Sequence, residues 1–146
     1  MKSNGPILLV EDDEVDVMTI RRALKILKVL NSLDVAGNGE EALAYLHNTK
    51  TSLPCIILLD LNMPRMGGLE FLGIIKQDPI LHHIPVVILT SSRHEHDRMA
   101  GFDKNIAGYM VKPVGDEQFV EVVRTINLYW TLSEMPIEVQ AEVEDD

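Results

Sequence analysis

An α/β fold built on one doubly wound parallel sheet is what this sequence predicts, and three observations lead there. Short apolar runs alternate five times with longer amphipathic stretches. The runs are apolar at consecutive positions, as expected for strands buried on both faces of a parallel sheet. The 146 residues suit one domain with one core. Alternating strands and helices imply right-handed crossovers, and 2-1-3-4-5 is the natural strand order for this length.

Taken in order, Ile7-Leu8-Leu9-Val10 is a strand stopped by three acids. Val15 to Leu30 reads as a helix, with Val15, Met18, Ala23, Ile26 and Leu30 among its apolar positions. Leu33-Asp34-Val35-Ala36 is a weak second strand. Asn38 caps the next helix, which contains Ala42, Leu43, Tyr45 and Leu46, and Glu41 completes a capping box. Residues 55–59 form a third strand, and Gly68 to Lys76 a helix closed by Asp78-Pro79. Residues 85–89 are a fourth strand, and a polar helix follows from Arg93 to Ala100. Ile106 to Val111 is the fifth strand, and a last helix runs from Asp116 to Leu132. The domain therefore spans residues 1–132, and residues 133–146 are an acidic C-terminal tail, read as a solvated end.

Composition excludes several classes of function. The net charge is −10, and six acids but no Lys or Arg follow Trp130, so no basic footprint for nucleic acid is present. No apolar run reaches the ~20 residues that cross a bilayer. The first residues lack the apolar core of a signal peptide. Cys55, the single cysteine, sits in an apolar run and reads as a buried thiol. These features point to a cytoplasmic protein with no membrane partner. His82-His83 and His94-x-His96 are weak ligand patterns and read as surface histidines.

In an open parallel sheet, sites form beyond the carboxyl ends of the strands. Strand one ends at Glu11-Asp12-Asp13, strand three at Asp60, strand four at Thr90-Ser91-Ser92 and strand five at Lys112-Pro113. Each has a bland reading: the acids as helix caps, Thr90-Ser91-Ser92 as a capping loop, Lys-Pro as an unspecific pair. Together they suit phosphate chemistry. Glu11, Asp12 and Asp60 would crowd carboxylates around one cation, Lys112, which Mg²⁺ relieves. Asp60 then serves as nucleophile, since a carboxylate can carry a phosphoryl group. Lys112 neutralises phosphoryl oxygens, and the Thr90 hydroxyl donates to one.

The runs Leu8-Leu9-Val10-Glu11-Asp12-Asp13, Leu59-Asp60-Leu61-Asn62-Met63-Pro64-Arg65-Met66-Gly67-Gly68-Leu69-Glu70, Val87-Ile88-Leu89-Thr90-Ser91-Ser92 and Gly108-Tyr109-Met110-Val111-Lys112-Pro113 resemble the receiver domains of bacterial two-component response regulators. The resemblance covers about residues 6–130. It implies a flavodoxin-like receiver fold and a switch that accepts a phosphoryl group on Asp60 from a sensor histidine kinase or phosphotransfer protein. It makes Asp12 a direct Mg²⁺ ligand, Glu11 an outer-sphere acid and the Asn62 main-chain carbonyl a further ligand. Asp13 falls one position past the family's acid pair and receives no role. Lys112 becomes the phosphate-binding lysine, with a cis bond before Pro113. Thr90 and Tyr109 match the pair that rearranges on phosphorylation and alters the face of helix four, strand five and helix five. Tyr129-Trp130 and the tail that contains Pro136 look like stand-alone regulators that serve bacterial phytochrome kinases.

Rival functions remain on the same fold. An aspartate-nucleophile phosphatase needs a second acid two residues after the nucleophile, where this chain has Asn62. A flavin module needs a Ser, Thr and Gly-rich loop after strand one, where Glu11-Asp12-Asp13 would repel phosphate. A phosphorylation-independent interaction module is the third. On the last helix Phe119, Val122, Val123, Ile126 and Trp130 should face the sheet, leaving Val120, Leu128, Tyr129 and Leu132. Either the segment from Met135 to Val139 covers these, or they form a homodimer or effector surface. The downstream protein target is not legible.

Overall fold

The computed structural model describes residues 5–48, 50, 52–63, 65–90 and 106–112, with 120 and 124. Its elements are β1 (Ile7–Val10), α1 (Glu14–Ile26), β2 (Leu33–Ala36), α2 (Gly39–Leu46), β3 (Ile56–Asp60), α3 (Gly68–Gln77), a 3-10 turn (Leu81–His83), β4 (Val86–Thr90) and β5 (Ile106–Val111). The expected helices at 93–100 and 116–132, the tail and Pro113 lie outside the described residues, apart from helical backbone at Val120 and Arg124.

The five strands form one sheet in the order β2-β1-β3-β4-β5, parallel at every pairing. Register aligns the carboxyl ends: Val10 pairs with Leu59, Asp60 with Leu89, and Thr90 with Val111. A register shift between Val86 and Val87 skips Ala107 of β5, so a bulge sets the phase of Tyr109 and Met110.

Side chains alternate across each strand, so one sheet feeds two cores. Ile7, Leu9, Ile56 and Leu58 meet Ile20, Ala23 and Leu24 of α1 on one face. Leu8, Val10, Ile57 and Leu59 meet α2 and α3 on the other, with Phe71, Leu72 and Ile75 fully buried. β1 is thus flanked by connections on opposite faces, the arrangement that opens a crevice beyond its end.

Local sequence explains the helix ends. The Asp13 carboxylate accepts from the Val15 and Asp16 amides at 2.8 and 3.2 Å, which supplies the role the sequence left open. Such a cap contributes about 1 kcal/mol. Asn38 caps α2 through the Glu41 amide at 2.9 Å, and its Nδ2 donates back to Glu41 Oε2 at 3.1 Å. The expected capping box therefore forms, closed through side chains. Asp78 ends α3 and caps the 3-10 turn through the Ile80 and Leu81 amides.

Three expectations need correction. α1 stops at Ile26 rather than Leu30, because Lys28 turns left-handed (φ 59°) and the Lys28 and Val29 amides bond back to Lys25 and Leu24. Of the five apolar α1 positions, only Ala23 is buried; Val15, Met18, Ile26 and Leu30 are exposed. The helix has two apolar stripes, and the strand it follows decides which one faces the sheet. β3 and β4 each sit one residue later than expected, which makes Asp60 and Thr90 the last residues of their strands.

Candidate functional site

The crevice collects residues from three strand ends. Glu11 follows β1, held by its amide donating to the Ala36 carbonyl of β2 at 2.9 Å. Its side chain points inward and is 1% exposed, although it is an acid. Asp60 closes β3 at 3% exposure, and its Oδ1 accepts from the Asn62 amide at 3.2 Å. Asp12 is exposed at the rim. Glu11, Asp12 and Asp60 each offer an oxygen within 4.8 Å of the others.

Lys112, just past β5, reaches into this cluster. Its Nζ lies 2.7 Å from Glu11 Oε1, 2.9 Å from Asp16 Oδ2 and 3.5 Å from Asp60 Oδ1. One ammonium faces several carboxylates, and the electrostatics follow. Burial pushes the Glu11 carboxyl up to about 9, with hydrogen bonding to Asp60 adding to the shift and Lys112 opposing it. Burial works against the Lys112 charge, but its hydrogen bonds to Glu11 and Asp16 and the field of Asp60 raise its pKa above the ordinary lysine value. Burial likewise opposes the Asp16 charge, but hydrogen bonds with Glu11 and Lys112 leave its pKa below the usual carboxylate range.

The residues fit a divalent cation on two grounds. Among the described residues Glu11 Oε2 is buried without a hydrogen-bond partner, a costly state for a polar atom. The donor set is hard carboxylate oxygen, which suits Mg²⁺ or Mn²⁺ rather than softer ions.

A family model described as response regulator receiver domain matches residues 7–124. The chain belongs to that family. The response regulator Rcp1 of Synechocystis sp. is 36% identical over 135 residues, covering 88% of this chain and 92% of that one. The Mn²⁺-bound form of Rcp1 is similar in structure, with TM-score 0.68 and 35% identity over 85% of this chain and 92% of that chain. The bacteriophytochrome response regulator RtBRR has TM-score 0.78 and 38% identity, over 86% of this chain and 79% of that one. The phosphorylated cyanobacterial phytochrome response regulator RcpA has TM-score 0.69 and 36% identity, over 89% and 96%.

Within this receiver domain the structure brings together Glu11, Asp12, Asp60 and Lys112. Asn62 lies in the turn after Asp60 and contributes an amide to it. Tyr109 is half-buried and packs against the α2–α3 core. Thr90 ends β4, while its side chain and Pro113 lie outside the described residues. His82 is half-buried, its Nδ1 2.7 Å from the Asp78 carbonyl; His83, exposed, stacks against it. Cys55 is buried as expected, and burial pushes its thiol up to about 11.

Sequence reading missed two contributors. Asp16, in the first turn of α1, is a second anchor for Lys112. A signal existed: the acid lies one turn past a capped helix start beside the acid pair. Gly68, read from sequence only as the start of a helix, is the other. A Cβ there would lie 2.4 Å from the Asp60 carbonyl oxygen, so only glycine lets α3 start against the backbone of Asp60. Arg65 at φ 60° helps the loop turn into that position.

Proposed function

We propose that this receiver domain accepts a phosphoryl group on the Asp60 carboxylate from the phosphohistidine of a sensor histidine kinase or phosphotransfer protein. The P–N bond to imidazole breaks, and a P–O bond to Asp60 forms. The observation that carries this reading is the placement of Asp60, itself buried, with Oδ1 3.5 Å from Lys112 Nζ in the acidic cluster. Mg²⁺, when bound, supplies positive charge to the phosphoryl oxygens and offsets the carboxylates. Glu11, Asp12, Asp60 and the Asn62 carbonyl would hold it, and the Mn²⁺-bound Rcp1 relative supports that assignment. Lys112 would exchange a carboxylate partner for a phosphoryl oxygen. The Asn62 amide orients Asp60 and keeps its position through the transfer.

The consequence is a two-state switch biased by local charge. Thr90 and Lys112 move toward the new group, and Tyr109 turns inward. The face around β5 then changes its affinity for a downstream protein and for a second copy of the chain. The names of RtBRR and RcpA support a phytochrome-linked kinase as donor. Among the described residues no helix is long and apolar enough to cross a membrane, and we place the protein in the cytoplasm. Residues 1–132 act as the domain and 133–146 as its acidic tail. The protein is a switch rather than an enzyme with a separate substrate. Intact mass after incubation with acetyl phosphate and Mg²⁺ tests the assignment. One phosphoryl group should be added, and none to Asp60→Asn; incorporation by that variant would move the acceptor elsewhere.

A further inference from the structure

α1 turns Ile20, Ala23 and Leu24 to the sheet. Carried one turn toward the helix start, that stripe reaches position 16, since residues four apart share a face. An apolar side chain would continue the core there, but the residue is Asp16. An acid in the first turn favours the helix dipole, and that alone is the ordinary reason for one. Glu14, in the same turn, meets that reason and is exposed. Asp16 does more: its side chain is only 26% exposed, and its Oδ2 lies 2.9 Å from Lys112 Nζ. Its backbone is fixed as well, because its amide donates to the capping carboxylate of Asp13 at 3.2 Å.

An ammonium carries three N–H donors. Those of Lys112 face Glu11 Oε1 at 2.7 Å, Asp16 Oδ2 at 2.9 Å and Asp60 Oδ1 at 3.5 Å. The two short contacts lie toward the end of β1 and the start of α1, and the contact with Asp60 is the long one. Nζ is thus held short of the phosphoacceptor.

The three acids differ in what else they do. Glu11 and Asp60 belong, with Asp12, to the carboxylate group that suits a divalent cation. Among the described residues Asp16 stands outside that group. Burial opposes its charge, but hydrogen bonds with Glu11 and Lys112 hold its carboxyl below the usual carboxylate range. When Glu11 and Asp60 turn oxygens to a cation, two of the three contacts of Lys112 loosen and the one with Asp16 stays. A phosphoryl oxygen on Asp60 must then draw Nζ from a carboxylate that remains charged and in place.

We propose that Asp16 is a positioning residue, which retains Lys112 at the start of α1 and so opposes its transfer to the phosphoryl group on Asp60. The proposal deepens the reading of Asp60 as phosphoacceptor and rests on it; the contact between Asp16 and Lys112 does not. Two anions compete for one ammonium, and Asp16 sets the bias that the new group has to overcome.

The test uses the full chain. The probe is beryllium fluoride with Mg²⁺, a mimic of a phosphoryl group on a carboxylate, titrated while the amide signals of Val111 and Lys112 are followed. Asp16→Asn, of equal size, should bind it roughly threefold to fivefold tighter than the parent, the range of a partly exposed ion pair. Glu14→Gln removes the same charge from the same turn and should leave the affinity at the parent value. In a Lys112→Ala background Asp16→Asn should have no further effect, since a double-mutant cycle isolates the pair. Equal gains from Asp16→Asn and Glu14→Gln, or a gain that persists without Lys112, would overturn the proposal as an effect of net charge. Weaker binding in Asp16→Asn would overturn it too, making Asp16 a guide that delivers Lys112. Without Mg²⁺ or beryllium fluoride, Asp16→Asn should shift the side-chain methylene signals of Lys112 and Glu14→Gln should not; unshifted signals would overturn the contact. Asp16→Ala, which suits a helix, should match Asp16→Asn throughout and decides the matter should the amide variant fail to fold. No binding of beryllium fluoride by the parent would defeat the Asp60 reading and the role of Asp16 with it, while the metal-free signals still decide the contact.

Discussion

Lys112 Nζ and Glu11 Oε1, 101 residues apart in sequence, meet at 2.7 Å at the bottom of the acidic crevice. This contact joins the ends of β1 and β5, two strands that are not neighbours in the sheet. It holds the site together before any cation or phosphate is present. The oxygen left over, Glu11 Oε2, has no hydrogen-bond partner among the described residues.

The Glu11 carboxyl, raised from 4.5 to about 9, makes metal-free stability fall with pH. The folded state keeps a proton that the unfolded state releases above its own pKa, so stability declines from about pH 4.5 toward 9. Asp16 contributes in the opposite sense and below this window: its lowered pKa favours folding above the unfolded value and is lost in acid. Thermal melts of the metal-free protein across that range should show the decline, and Glu11→Gln should flatten it. For the same reason Mg²⁺ affinity should climb with pH, since the cation competes with the proton. A flat affinity profile between pH 6 and 8 on titration calorimetry would remove this role from Glu11.

Lys112→Ala should destabilise the metal-free protein by about 1.5–3 kcal/mol, because it removes charge-assisted bonds from buried carboxylates. Mg²⁺ should restore much of the loss and bind at least as tightly as before, one competing cation being gone. Urea denaturation with and without Mg²⁺ measures both. If Lys112 couples phosphorylation to the switch, any spectral response to acetyl phosphate and Mg²⁺ should be weaker in Lys112→Ala than in the parent. A variant equally unstable with and without Mg²⁺ would mean that Lys112 acts only as a strut.

Two glycines of α3 should answer oppositely to alanine. At Gly68 the new Cβ meets the Asp60 carbonyl oxygen at 2.4 Å and Leu61 Cα at 2.7 Å, backbone atoms that cannot swing aside. Gly68→Ala should cost about 1–3 kcal/mol and slow labelling of Asp60 by acetyl phosphate. At Gly73 nothing lies within 4 Å, and Gly73→Ala should stabilise the helix by ~0.5–1 kcal/mol with labelling unchanged. Melting temperatures and labelling rates for the pair separate backbone placement of Asp60 from general helix stability.

A homodimer through β5 and the flanking helices is expected, tightened by phosphorylation by a coupling of ~1–3 kcal/mol. Leu128, which sequence places away from the sheet-facing stripe of the last helix, is the residue to change. Sedimentation should show a heavier species with a phosphoryl mimic, and Leu128→Glu should shift it toward monomer. A monomer in both states at about tens of micromolar would end the dimer reading, since it leaves any Kd weaker than that.

What the sequence determined by itself was local or periodic. Runs such as Ile7–Val10 and Ile56–Leu59 are apolar at every position, as expected of strands in a sheet covered on both faces, and strict alternation with helices then made 2-1-3-4-5 the natural strand order for this length. The placement of Glu11, Asp12, Asp60 and Lys112 at one end followed, because parallel strands all finish on the same side. The tertiary structure decided what depends on rotation and distance. Periodicity could not choose between the stripes of α1, since both are apolar; the Asp13 cap and the path out of β1 set which one turns inward. Asp16 could not be matched to Lys112 from spacing, because their contact exists only once β1 and β5 share a sheet. The need for glycine at position 68 arises from a carbonyl eight residues earlier, brought back by a turn whose shape sequence motifs name but do not measure. Contacts made across the fold have no period along the chain, and so they became visible only when the chain was folded.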